Sequence, residues 1–105
     1  MDPVITARHC DVTPELRQRA AGIVQRISLL AGRPMETSVV FGVEAGTSIA
    51  ELRLHVAQGD VFIARGEGPD HGTALDRAEE KLRSQVDRAV GRVRGERHSA
   101  ELNQV

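Results

Sequence analysis

The sequence predicts an α+β fold, a two-layer β-α-β-β-β-α sandwich in which a four-stranded sheet carries two helices on one face. Two stretches repeat apolar residues at spacings of three and four, four short runs are rich in strand-forming residues, and only a few residues separate the last three runs. Such short links make those three runs an antiparallel meander. Two helices with one apolar stripe each bury both stripes only if they lie together on one face of the sheet.

Each element carries its own signal. Val4 to His9 (VITARH) reads as a first strand, rich in β-branched residues and beginning after Pro3. Thr13-Pro14-Glu15 is a helix start: Thr13 caps, Pro14 suits the first helical position, and Glu15 complements the positive helix end. Leu16, Ala20, Ile23, Ile27 and Leu30 continue that helix, and Gly32 and Pro34 stop it. Thr37 to Glu44, Ser48 to Ala57 and Val61 to Arg65 are the three meander strands, joined by turns at Ala45-Gly46 and Gln58-Gly59-Asp60. In the middle strand Ala50, Leu52, Leu54 and Val56 alternate with Glu51, Arg53 and His55, so one sheet face is covered and the other is wet. Gly66 to Asp70 then leads into a closing helix whose stripe is Leu75, Ala78, Leu82, Val86, Ala89 and Val93. The pattern defines one domain over residues 1–97 and a flexible C-terminal tail over 98–105.

Charge is distributed by layer. The 105-residue chain has a formal charge of -1, yet residues 81–97 hold six bases against Asp87 and Glu96. Residues 8–33 hold five bases and two acids, whereas residues 36–70 hold six acids and two bases. Positive helices backed by a negative sheet point to a polyanionic partner. On a helical wheel Arg77, Lys81, Arg88 and Arg92 fall within roughly 60° of one another beside the apolar stripe, and Arg83, Arg94 and Arg97 form a second row on the other side. Thirteen of the fourteen bases are arginine, a side chain suited to bidentate phosphate binding.

Other chemistries lack their residues. Cys10 is the only cysteine, which rules out an intrachain disulfide and a thiolate metal cluster. The four histidines are scattered, and no metal motif, phosphate loop, dinucleotide fingerprint or nucleophile elbow occurs. Glu44, Glu51 and Glu67 have no spacing that demands an acid–base pair. With Phe41 and Phe62 the only aromatic rings of their kind, base stacking on the sheet is not expected. No apolar stretch approaches the roughly 18 residues of a membrane span, so the expected setting is cytoplasmic, with no membrane, cofactor, metal or small-molecule substrate.

The residues resemble the family of ribosome hibernation promoting factors and ribosome-associated inhibitors, also called sigma-54 modulation proteins. The resemblance runs from residue 4 to about 97 and rests on four pieces in order: ITA followed by DVTPELR, then SVVFGVE, LHVAQGDVFIARGEGPD, and ALDRAEEKLRSQ. It implies a non-enzymatic factor, of the short form without a second dimerisation domain, that binds the small ribosomal subunit in stress or stationary phase. Its place would be the messenger and transfer RNA channel at the decoding region, against ribosomal RNA, where it silences translation. The family's basic positions fall on Arg17 and Arg26 in the first helix and on Lys81, Arg88, Arg92 and Arg94 in the closing one; with Arg77 from the wheel these are the candidate RNA-binding residues. Asp76 and Gln85 match the family motif, Asp76 as a helix-start or RNA-contacting residue. The chain departs from the family at His71, Ile23 and Leu29-Leu30-Ala31, where an aromatic, a base and an aromatic are usual. Two other readings stand beside this one: a general double-stranded RNA binder, and a protein-interaction module using Glu51, Arg53 and Arg65 on the wet sheet face.

Overall fold

The computed structural model describes residues 3–32, 34–56 and 60–103, with side chains described as far as residue 91 apart from that of residue 34. Six elements follow in the expected order: β1 (Val4–Ala7), α1 (Pro14–Ala31), β2 (Pro34–Glu44), β3 (Thr47–Val56), β4 (Val61–Gly68) and α2 (His71–Asn103). The sheet order is β1-β2-β3-β4, with β1 parallel to β2 across the α1 crossover and the remaining pairs antiparallel. Arg33, the residues of the turn at Gln58-Gly59 and the side chains of Arg92 and Arg94 lie outside what is described.

Both helices lie on one face. The core joins Ala20, Ile23, Val24 and Ile27 of α1 to Leu75, Ala78, Leu82 and Val86 of α2 over Val39, Phe41, Leu52 and Leu54 of the sheet, all but fully buried. The described residues of the expected stripes therefore face the core, Ala89 being only half-buried and the side chain of Val93 lying outside what is described, with one exception. Leu30 is 54% exposed and Leu29 77% exposed, because Val24 and Ser28 take the inner positions as α1 nears its end.

Element ends differ from expectation for local reasons. His9 adopts a left-handed φ of 56°, which ends β1 at Ala7 rather than His9. β2 begins at Pro34, three residues early, with an irregular register between Pro34 and Glu36. β4 continues three residues beyond Arg65 to Gly68. Gly66 and Gly68 are strand residues on the helix-facing side, not turn residues. A Cβ at Gly66 would press into the Ala74 carbonyl oxygen and come within 2.5 Å of the Ala78 nitrogen, so the absent side chain lets α2 lie directly on β4. At the other end the backbone of α2 is helical to Asn103, beyond the expected limit at 97.

Candidate nucleic-acid interface

The start of α2 is fixed by Asp70. Its carboxylate accepts the Thr73 amide at 2.7 Å and the Thr73 hydroxyl at 3.1 Å, while its carbonyl accepts the Ala74 amide. The Thr73 amide, then its hydroxyl, holds the Asp70 carboxyl below its ordinary pKa. His71, in the next position, places Nε2 2.9 Å from the Gly42 carbonyl oxygen and its ring edge-on to Phe41. The residue standing where an aromatic is usual thus fastens the helix to β2.

From this start α2 runs antiparallel to β4, an edge strand. Arg77 Nη1 donates to the Glu67 carbonyl at 2.7 Å, Lys81 Nζ to that of Arg65 at 2.8 Å, and Gln85 Nε2 to that of Ile63 at 2.8 Å. The two spacings match: four helical residues rise about 6 Å and two strand residues about 6.8 Å, so every fourth side chain of α2 meets every second carbonyl of β4. Arg65, Glu67, Arg77, Glu80 and Lys81 line an open groove of about 470 Å³ along this seam.

Hydrogen bonds to carbonyls satisfy donors without cancelling charge. Arg77 and Lys81 are exposed, bond only neutral oxygens among the described residues, and so keep a full positive charge on the β4 side of α2. Arg88, exposed and without an ion pair among the described residues, continues the row. The side of α2 toward α1 is different. Asp76 pairs with Arg19 of α1, and Arg83 reaches Glu79 at 3.7 Å, so cations there meet carboxylates. Asp76 therefore joins the two helices; the Asp70 cap, not Asp76, supports the helix start.

The candidate residues do not all converge. Arg77, Lys81 and Arg88 form one row. Arg26 is exposed two turns beyond Arg19 on the same side of α1, without an ion pair among the described residues. Arg17 is half-buried on the opposite side of that helix and donates to the Ile5 carbonyl of β1 at 3.4 Å. It sits at the far sheet edge from Lys81, three strand spacings or about 14 Å away. The backbone of α2 carries Arg92 and Arg94 onward, with side chains outside the described residues. Ile23 is in the core, at 1% exposure, so a base at that position would have to leave the interior to reach a ligand. Gln85 is the member of the row that charge patterning misses; the family motif and its place four residues after Lys81 are the signals that find it.

The uncovered sheet face is largely self-neutralised. Arg65 pairs with Glu44 at 2.5 Å and Glu67 at 3.3 Å, and Arg53 with Glu51 at 2.7 Å, so the three carboxylates weighed as acid–base candidates are all held by arginines. Among the described residues no group of acids, histidines and cysteines is arranged to hold a metal.

Fold and charge together define a two-layer α+β domain with an uncompensated cationic helix flank. The chain belongs to the Sigma 54 modulation protein / S30EA ribosomal protein family, whose model matches residues 4–94. That family is non-enzymatic, and the protein is accordingly not an enzyme. A ribosome hibernation promoting factor of Klebsiella oxytoca is 30% identical over 82 residues, covering 78% of this chain and 85% of the relative. Two solved structures share the fold. A ribosomal subunit interface protein from Coxiella burnetii gives a TM-score of 0.74 at 20% identity, covering 85% of this chain and 97% of that one. The N-terminal domain of Protein Y from Thermus thermophilus gives 0.71 at 22% identity, covering 84% and 98%.

Proposed function

We propose that the protein is a ribosome hibernation factor of the cytoplasm, which binds the small ribosomal subunit through its ribosomal RNA and silences translation under stress or in stationary phase. The observation that carries this reading is the family match over residues 4–94, within which lies the cationic row of Arg77, Lys81 and Arg88. In this reading the domain occupies the messenger and transfer RNA channel at the decoding region. The row faces phosphates, with Arg26 adding a contact from α1, Arg92 extending the row along α2, Arg94 adding a contact from the other flank of that helix, and Arg17 acting at the far edge. Guanidinium groups bind phosphate by charge and by paired hydrogen bonds, a mode that needs no aromatic stacking.

Co-sedimentation with purified small subunits at moderate salt tests the reading. The protein is expected to travel with the subunit, and to be released as salt rises because each phosphate contact frees counterions. Arg88→Glu combined with Arg92→Glu is expected to abolish association while the circular dichroism spectrum stays unchanged. A protein that remains at the top of the gradient but is retained by duplex RNA would overturn the ribosomal assignment.

A further inference from the structure

The seam between α2 and β4 has a second consequence, independent of any RNA. β4 is an edge strand of eight residues, and its pairing with β3 leaves one whole side open. The hairpin bond from the Val56 amide to the Asp60 carbonyl sets which residues bond inward. By alternation the backbone groups of Phe62, Ala64 and Gly66 point to β3, and those of Val61, Ile63, Arg65 and Glu67 point outward. The three outward carbonyls of Ile63, Arg65 and Glu67 are the ones that Gln85, Lys81 and Arg77 occupy. An unpaired edge of this kind is a template for another strand unless something covers it.

We propose that Arg77, Lys81 and Gln85 form a lock on the β4 edge, and that releasing it exposes a strand-pairing surface that takes a second copy of this chain. The edge complements itself. In the antiparallel register that sets residue 64 against residue 64 of the second copy, Val61 lies opposite Glu67 and Ile63 opposite Arg65, with no like charges directly opposed. Val61 and Ile63, 57% and 46% exposed on the uncovered face, become the apolar part of the joined surface. No proline interrupts the strand, and every outward carbonyl from Ile63 to Glu67 becomes available once the three side chains are gone. The lock needs donors, not charge, since neutral Gln85 makes the same bond as its two cationic neighbours.

Sedimentation velocity over a wide concentration range tests this in the full chain. Arg77→Ala/Lys81→Ala/Gln85→Ala is expected to dimerise with rising concentration where the parent does not. Arg77→Gln/Lys81→Gln keeps neutral donors on the same helix face and is expected to stay monomeric. If the triple variant loses its fold by circular dichroism, Lys81→Ala alone, which uncovers only the central carbonyl, decides the matter and is expected to show measurable dimer at the highest concentrations. A folded triple variant that stays monomeric, a Lys81→Ala protein with no dimer when the triple is unfolded, or a double-glutamine variant that dimerises like the alanine one would each overturn the proposal. Ribosome co-sedimentation of the double-glutamine variant keeps the two ideas apart, because it reports the loss of charge while the oligomeric state reports the lock.

Discussion

The two sides of α2 use the same residue types to opposite electrostatic effect. Toward β4, Arg77 and Lys81 give their hydrogen bonds to backbone carbonyls; toward α1, Asp76 and Arg83 meet side chains of opposite charge. The first arrangement anchors the helix and leaves its positive field intact, whereas the second anchors it and cancels the field. Among the described residues, a helix with cations on both flanks thus presents only one of them to a polyanion. A base's partner, and not its presence, decides whether it contributes to a binding surface.

The contrast depends on how closely α2 lies against β4, and Gly66 controls that distance. Gly66→Ala puts a methyl group against the backbone of Ala74 and Ala78, atoms that have no rotamer to escape into. Overpacking of this kind costs about 3 kcal/mol and pushes the helix outward. Urea unfolding should show that loss as a lower midpoint with an unchanged slope, and the displaced Arg77 and Lys81 should then lose their carbonyls. An unchanged midpoint would mean that the seam is looser than its geometry.

A direct comparison of the flanks comes from charge reversal. Lys81→Glu with Arg88→Glu should weaken ribosome association by roughly 10- to 100-fold and flatten its salt dependence by close to one unit of slope for each phosphate no longer held. Arg83→Glu, already beside Glu79 and facing α1, should change association less than about threefold. Gradient co-sedimentation at several salt concentrations measures both. Equal losses from the two flanks would erase the distinction drawn between them.

Much of this architecture is legible in the sequence. The order of elements, the buried faces of Leu75, Ala78, Leu82 and Val86, and the row of Arg77, Lys81 and Arg88 follow from periodicity, because a helix places side chains by a fixed angle. What periodicity omits is contact between elements. It reads Gly66 and Gly68 as a loop, since only the arrival of α2 gives a strand glycine its purpose. The family resemblance groups Arg17 with the other bases, and it says nothing of the Ile5 carbonyl that Arg17 meets on a distant edge. Periodicity also places Leu30 in the core, although Ile27 and Ser28 are the buried residues of that turn and Ala31 packs against the core beyond it, and it leaves Gln85 out because a neutral residue adds nothing to a charge count.

A smaller effect concerns the point from which α2 is aimed. The Asp70 carboxylate has its pKa lowered, first by the Thr73 amide and then by the Thr73 hydroxyl. A group whose folded pKa is depressed adds stability above its unfolded value, about 3.9, and loses that contribution as pH falls through the lower folded value. Asp70→Asn retains an oxygen for the Thr73 amide but does not titrate. The variant should therefore be only slightly less stable near pH 7, and its deficit should begin to shrink near about pH 4 and vanish only once pH has fallen below the lowered folded value. Thermal unfolding of both proteins across pH 2.5 to 7 gives the two curves, and a deficit constant over that range would assign the cap to shape alone.

The smallest effect belongs to the neutralised flank itself. Arg19 and Asp76 are 46% and 54% exposed at their side chains, so their attraction is screened by water and salt even though it spans two helices. A double-mutant cycle with Arg19→Ala and Asp76→Ala should return a coupling of about 0.5 kcal/mol, shrinking further at high salt. Asp76→Ala alone has a second consequence that the stability measurement does not record. It removes a carboxylate and leaves Arg19 uncompensated, on the side of α1 that already holds Arg26, so the face between the helices becomes positive. If polyanion binding follows uncompensated charge, this slightly destabilised variant should bind ribosomal RNA more tightly than the parent, an increase that fluorescence anisotropy at low salt would detect. Weaker binding would show instead that Asp76 contributes to recognition directly, and the two sides of α2 would then differ in the kind of contact they make and not in whether they make one.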